Sequence, residues 1–263
     1  MPTPKLVRHD TKRIVRGTPH EQAHEELAVE APMELRVNKE PVAVLMRTPG
    51  DDFDLASGYL YTRGVVHQAK DISVMRHLAS EQDGDDRNVL DATLAAGVKF
   101  DAAKVRRATL SQVKIHPKPI QGKTKVRLEV FYSLGNALRR AQTVFERTGG
   151  LHAAGIFDAK GTLLGLREDI ASLNAVDKML GSMFTEGKMP LDHHILMVSG
   201  RAGFDLMQKA LAARIPIVAA IQAPTSMAVA FANEMGQTLV GYVRADAFNI
   251  YAHGDRVEVS SPG

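Results

Sequence analysis

An α/β fold with a smaller β-rich part ahead of it is the architecture this sequence predicts, and three observations carry it. Beyond residue 128, short continuous apolar runs such as HILMVSG (194–200) and IPIVAAI (215–221) alternate with segments of helical periodicity. Strands buried on both faces read as unbroken apolar runs, so this alternation describes a largely parallel sheet covered by helices on each side. Before residue 109, short strand-like runs are joined by turn residues instead. Finally, 44% of the 263 residues are hydrophobic, enough to fill a substantial core.

Element by element, residues 1–26 read as a polar tail with little to bury. In the β-rich part, residues 27–108, MELRVN and EPVAVLMRT flank Asn38-Lys39 as a hairpin. DDFDLASGYLYTRG has acidic residues at a helix start and Gly64 at its end. DISVMRHLA and RNVLDATLAAG are two more strands around an acidic turn of Glu81, Asp83, Asp85 and Asp86. Residues 109–128 form a basic loop whose centre, LSQVKIHPKPIQG, is too polar for a core and too rich in proline for a helix.

Residues 129–263 make the α/β part. SLGNALRRAQTVFERTGG sets Leu134, Leu138, Ala141 and Phe145 on one face of an amphipathic helix that closes on Gly149-Gly150. LHAAGIFDAKGTLLGLRED is a strand, a turn at Asp158 to Gly161 and a second strand. Then SLNAVDKMLGSMF is helical, HILMVSG a strand, RAGFDLMQKALAA a helix, IPIVAAI a strand, TSMAVAFANEMG a helix and QTLVGYVR a strand.

Composition excludes several classes of function. Thirty-three basic against 30 acidic residues leave a net charge of +3, too small for a dedicated nucleic-acid binder. Between Lys104 and Arg127, however, every charged residue is basic. That segment is either a solvated stretch or a place to meet an anionic ligand. No apolar run approaches the ~18 to 20 residues that cross a bilayer, and the first residues carry charges where a secretory signal has an apolar centre. The expected location is the cytoplasm. The chain has no cysteine, which removes disulfides, thiolate metal sites and thiol nucleophiles together.

Ligands of open α/β sheets bind beyond the carboxyl ends of the strands, which directs attention to three turns. In VSGRAGFD a strand ends at Ser199-Gly200 and a helix starts near Gly203, so backbone N–H groups and Arg201 could hold an anion, although neither Walker nor GxGxxG spacing is present. In QAPTSMAVA, Thr225 or Ser226 can cap the next helix, the simpler of its roles. GYVRADAFNIY carries Arg244 and Asp246 in a polar turn that could equally be an exit loop. On the helix SLNAVDKMLGSMF, Leu173, Val176, Leu180, Met183 and Phe184 form the buried stripe, while Asn174, Asp177 and Lys178 share another face. Those three face a cleft, or lie exposed, or satisfy the strand end at Glu168-Asp169 from inside.

Other chemistries find no support. His193 and His194 are adjacent on a strand start and point in opposite directions, with no HExxH beside them, so no metal site is expected. His152 lacks the Glu and PCxxC of zinc deaminases, and Ser199 does not sit in a GxSxG elbow.

Taken in order, EAPMELRVNKEPVAVLMRTPGDDFDLASGYLYTRGVV, TGGLHAAGIFD, REDIASLNAVDK, SGRAGFDLMQKA, IPIVAAIQAPTSMAVAFANEMG and TLVGYVRADAFNIY resemble the FdhD/NarQ family over about residues 27–260. The resemblance implies a cytoplasmic homodimer whose C-terminal domain has a cytidine-deaminase-like three-layer α/β/α fold. It also implies a sulfurtransferase role: persulfide sulfur is taken from a cysteine desulfurase and passed to bis-molybdopterin guanine dinucleotide before that cofactor enters formate dehydrogenase. The family's guanine dinucleotide segment corresponds here to Tyr242, Val243, Arg244, Ala245, Asp246 and Ala247, with the turns at Ser199, Gly200 and Arg201 and at Thr225 and Ser226 beside it.

Three departures qualify this. The family's CxxC falls at about Ile115 and Lys118, so no residue here fills the catalytic role. Ala171, Ser172 and Leu173 stand where the family has Gly, Arg and His, and Gln222 and Tyr242 replace Ser and Phe. A persulfide carrier needs a sulfur atom that forms and releases an S–S bond, which neither isoleucine nor lysine provides. Two readings stand. One is an accessory protein of formate dehydrogenase, or a related molybdoenzyme, that binds the cofactor without carrying persulfide. The other is a non-enzymatic paralogue serving another oxidoreductase as a nucleotide-binding or regulatory module. New chemistry at Asp177, Lys178 and His152 is a third, lesser option.

Overall fold

The computed structural model describes residues 4–18, 21–78, 88–107, 118–122 and 124–259. Ile115, the acidic turn and half of the basic loop therefore lie outside the described residues.

Where a polar tail was expected, β1 (Leu6–Arg13) and β2 (Glu21–Ala28) pair antiparallel over their whole length. The polarity that argued against a core supplies the cross-strand pairs instead. Arg13 faces Glu21, Arg8 faces Glu26, and Asp10 faces His24 with their side chains 2.6 Å apart.

β3 (Ala31–Val37) and β4 (Glu40–Arg47) form the hairpin expected at Asn38-Lys39. Both turn residues have positive φ, 51° and 70°, as a turn matching the twist of its strands requires. Asn38 Oδ1 accepts from the Leu94 N–H, and the Lys39 N–H donates to Asp91, which pins the turn to the next strand pair. β5 (Ile72–Leu78) and β6 (Val89–Leu94) complete a four-stranded sheet in the order β4-β3-β6-β5. Helix α1 (Asp52–Thr62) covers its inner face, where Leu55 and Leu60 meet Met33, Leu35 and Leu90, all fully buried. The short α2 (Ala102–Arg107) borders β4.

The second part opens with β7 (Val126–Arg127), α3 (Leu128–Ala141) and α4 (Thr143–Thr148). A single helix was expected across this stretch. The chain breaks at Gln142, with φ −78° and ψ 84°, because the Glu168 carboxylate accepts from the N–H groups of Val144 and Phe145 at 3.0 and 2.8 Å and starts a new helix there. Next come β8 (His152–Phe157), β9 (Leu163–Asp169), α5 (Ser172–Thr185), β10 (Ile195–Val198) and α6 (Phe204–Ala212). The chain ends with β11 (Ile217–Ala220), α7 (Ser226–Met235), β12 (Thr238–Gly241), β13 (Asn249–Ala252) and β14 (Val257–Glu258), the last pairing with β7.

The six-stranded sheet has the order β13-β12-β11-β10-β8-β9 and is mixed rather than largely parallel. Within it only the β10–β11 and β11–β12 pairs are parallel, each joined by a helical crossover, while α5 carries the chain from β9 past β8 to β10. β8 and β9 are joined by a tight turn in which Asp158 Oδ1 accepts from the N–H groups of Lys160 and Thr162, so they must be antiparallel. Helices cover both faces, giving three layers. On one side Phe131, Leu134 and Leu138 pack on Phe157, Met197 and Ile217; on the other Val176, Leu180 and Leu206 pack on Ile156, Leu196 and Val218. No helix among the described residues is long and apolar enough to cross a membrane.

The two parts meet where α1 crosses α5. A Cβ on Gly58 would lie 1.9 Å from the Asp177 carbonyl oxygen, and one on Gly181 would lie 1.9 Å from that of Asp54, so the helix backbones touch. The polar face of α5 is buried in the same contact. Lys178, fully buried, lies 2.8 Å from Asp169 and donates to the Thr48 carbonyl at 2.8 Å. Asn174 donates to the Met46 carbonyl at 2.8 Å, and Asp177 is held by Lys209 at 2.7 Å and by the Thr62 hydroxyl. Of the three expectations for this face, the buried one holds. Asp177 and Lys178 have no access to a substrate, and His152 lies elsewhere, so the third functional option falls.

Candidate functional site

The three parallel strands β10, β11 and β12 finish on one edge of the sheet. β8 runs against β10, so its first residue, His152, stands on that same edge. The turns singled out in the sequence are thereby brought together, as strand polarity dictates. They do not share one cavity, however. Two clefts flank the edge, one under α3 and α4 with a volume of about 560 Å³, the other under α5, α6 and α7 with about 650 Å³. His152 and Gln222 line both and form the wall between them.

Ser199 lines the first cleft, its hydroxyl accepting from the Ala153 N–H at 2.9 Å. Gly200 and Arg201 line the second. A Cβ at Gly200 would stand 3.4 Å from His152 Nδ1, so the glycine leaves room for the imidazole. Thr225 lines the second cleft and caps α7, accepting from the Ala228 N–H at 3.3 Å; Ser226 lines neither cleft. In the third turn the residues diverge. Val243, Arg244 and Ala245 line the first cleft, whereas Tyr242, Asp246 and Ala247 are exposed and line neither. Tyr242 has a positive φ of 53°, which swings the chain over so that Val243 is buried, and the Arg244 N–H closes the turn on the Ala247 carbonyl at 2.8 Å. The Arg244 guanidinium donates to the carbonyls of Ile221 and Val243 through one nitrogen, at 2.7 and 2.9 Å.

Lys118, the second cysteine position, is away from both clefts. Its carbonyl accepts from Arg214, and two residues on the Ile120 N–H donates to the carbonyl of Met235 at the end of α7. Both contacts lie at the amino ends of β11 and β12, the opposite edge of the sheet.

Sequence reasoning missed the contribution of the α3–α4 corner to the first cleft: Asn136, Arg139, Gln142 and Phe145. The motif TGG followed by His152 marked the neighbourhood, but nothing in the residue types announced the break that turns this corner inward. Arg139 pairs with Glu146 at 2.6 Å and stacks on the Phe145 ring at 4.5 Å. With Arg244 it gives the cleft two guanidinium groups, and among the described residues no carboxylate lines it. Gln142 is only 3% exposed, and its Nε2 is buried without a hydrogen-bond partner. Such a group is costly unless something completes it. The second cleft carries one cation, Arg201, and one carboxylate, Asp205. Among the described residues, no group of three metal-ligating side chains occurs.

Residues 28–258 match the FdhD/NarQ family. The sequence is 43% identical to the "Sulfur carrier protein FdhD" of Mycobacterium bovis over 254 residues, covering 89% of this chain and 92% of that one. It is 42% identical to the Streptomyces coelicolor protein of the same name, with 88% of each chain covered, and 37% identical to that of Saccharolobus solfataricus, covering 88% and 90%. The fold matches the crystal structure of a candidate formate dehydrogenase accessory protein from Desulfotalea psychrophila with a TM-score of 0.76, covering 97% of this chain and all of that one at 21% identity.

Proposed function

Because the chain belongs to the FdhD/NarQ family of formate dehydrogenase accessory sulfur carriers, we propose that it holds molybdopterin guanine dinucleotide in the first cleft for formate dehydrogenase maturation, without carrying persulfide itself. The observation that carries this reading is the cleft's charge. Among the described residues it is lined by two arginines, one of them paired with Glu146, and by no carboxylate, and Val243, Arg244 and Ala245 of the segment corresponding to the family's nucleotide segment form part of its wall. Its volume of about 560 Å³ falls within the range of small-molecule sites. The remaining N–H groups of Arg244 suit a diphosphate, for which a planar, permanently charged fork is the preferred partner. Ser199 and His152 offer further polar contacts at the strand ends.

The absence of cysteine supports the second half of the proposal. Sulfur transfer proceeds by thiolate attack on a sulfur–sulfur bond, and this chain can provide neither the thiolate nor the persulfide. The thiol chemistry then belongs to a partner such as a cysteine desulfurase, and this protein contributes possession of the cofactor. The setting that accompanies this reading is a cytoplasmic homodimer delivering to a formate dehydrogenase or related molybdoenzyme.

Isothermal titration with GDP tests the site. Binding is expected, weakened about tenfold or more in Arg244→Ala through loss of a charge-assisted hydrogen bond. No binding at millimolar GDP would sink the proposal. Incubation with a cysteine desulfurase and sulfur-labelled cysteine tests the other half, and stable label on this chain that thiols release would overturn it.

A further inference from the structure

The second cleft carries two charges that the fold itself does not use. Arg201 and Asp205 line it on either side of the start of α6, both exposed, yet they do not pair with each other and neither has a partner among the described residues. Exposed charges are ordinarily no more than solvated. Here they share a concave surface with apolar side chains: Leu206, only 2% exposed, Leu173 and Phe204, half-buried, and Met227, 60% exposed in the first turn of α7. Phe204 is held edge-on against Phe231, their ring centres 5.2 Å apart, so the apolar wall is fixed before any ligand arrives. A concave apolar surface with a few convergent polar groups is the ordinary form of a small-molecule site.

The charges decide which ligand suits it. A purely anionic molecule would face Asp205 and a purely cationic one Arg201, each meeting a like charge, whereas a zwitterion satisfies both. We infer that the second cleft binds the zwitterion of a free amino acid with a large apolar side chain, its carboxylate at Arg201, its ammonium at Asp205 and its side chain against Leu173, Phe204 and Met227. The planar fork of Arg201 takes a carboxylate through two parallel hydrogen bonds, and its long, unpaired side chain is free to close on one whose ammonium lies at Asp205. With a volume of about 650 Å³, the cleft leaves a small side chain without contacts, which favours a large one. A peptide does not fit the pattern, because its two terminal charges lie on different residues. This site is independent of the nucleotide role proposed for the first cleft, from which His152 and Gln222 divide it.

Isothermal titration of the full-length chain reads the site with three probes: L-phenylalanine, N-acetyl-L-phenylalanine, which keeps only the carboxylate, and L-phenylalaninamide, which keeps only the ammonium. L-phenylalanine is expected to bind, and each single-charge analogue to bind about tenfold or more weakly, the effect of one lost charge-assisted hydrogen bond. L-alanine is expected to bind about tenfold or more weakly as well, for want of the apolar contact. Arg201→Gln is expected to erase the preference for L-phenylalanine over its amide, and Asp205→Asn the preference over the N-acetyl derivative. Both residues are exposed, so neither change threatens the fold, and a merely structural role would weaken all three probes alike. GDP affinity is expected to be unchanged in both variants, which keeps failure of this site distinct from failure of the nucleotide role. No binding of L-phenylalanine at millimolar concentration, equal affinity of the wild type for the three probes, or uniform weakening in either variant overturns the inference.

Discussion

Asp177 and Lys209 sit 2% exposed each, their charges 2.7 Å apart and both bonded to the Thr62 hydroxyl. A buried pair of this kind is neutral to stability when intact and costly when halved, since the survivor keeps its charge away from water. Lys209→Met is therefore expected to destabilise the protein by about 3–5 kcal/mol. Replacing both partners with apolar residues is expected to recover most of that loss. Urea unfolding of the two variants checks the contrast, and equal losses would mean that the pair contributes by itself. The helical spacing of Asn174, Asp177 and Lys178 was legible in the sequence, as was the strand end at Asp169 that bonds Asn174 and Lys178, yet their other partners were not. Thr48 and Met46 lie more than 120 residues upstream and accept from Lys178 and Asn174 at their carbonyls, atoms that every residue carries and no sequence pattern marks.

Helix α4 has six residues, too few to persist by their own propensity. It is held where the Glu168 carboxylate takes its first N–H groups and where Arg147 pairs with Glu26 of the N-terminal hairpin. Glu168→Ala is expected to cost about 1–2 kcal/mol, the magnitude of a lost helix cap, and to weaken GDP binding because Phe145 and Gln142 lose their setting. Thermal unfolding and titration on one sample would show both effects, and undiminished GDP affinity would detach the corner from the site. The elements themselves were mostly readable, since apolar runs and periodicity follow directly from which side chains face a core. Element polarity was only partly so. Parallel pairing of β10, β11 and β12 follows from their helical connections, whereas the break at Gln142 depends on a carboxylate from a strand 26 residues downstream.

Across the whole molecule, the contact of α1 with α5 makes one body of two cores, with Phe184 reaching from α5 into the N-terminal cluster. Gly181→Ala would drive a methyl group into the backbone of α1, and no rotamer change relieves a clash between main chains. A loss of about 4 kcal/mol or more is expected, with far- and near-ultraviolet dichroism melting together. Separate melting of the two signals would mean that the cores are independent. The family resemblance made the general fold accessible from sequence, but the glycine contact was hidden in it, because a glycine within a helix looks the same whether it faces solvent or another backbone. The same contact bears on how the protein can be dissected. Residues 129–263 produced alone would display a groove lined by Gly181, with Lys178 deprived of the Thr48 carbonyl and Asp177 of the Thr62 hydroxyl. A fragment drawn at the apparent domain boundary would therefore be an ill-soluble half-molecule, and studies of the cleft belong on the full-length chain.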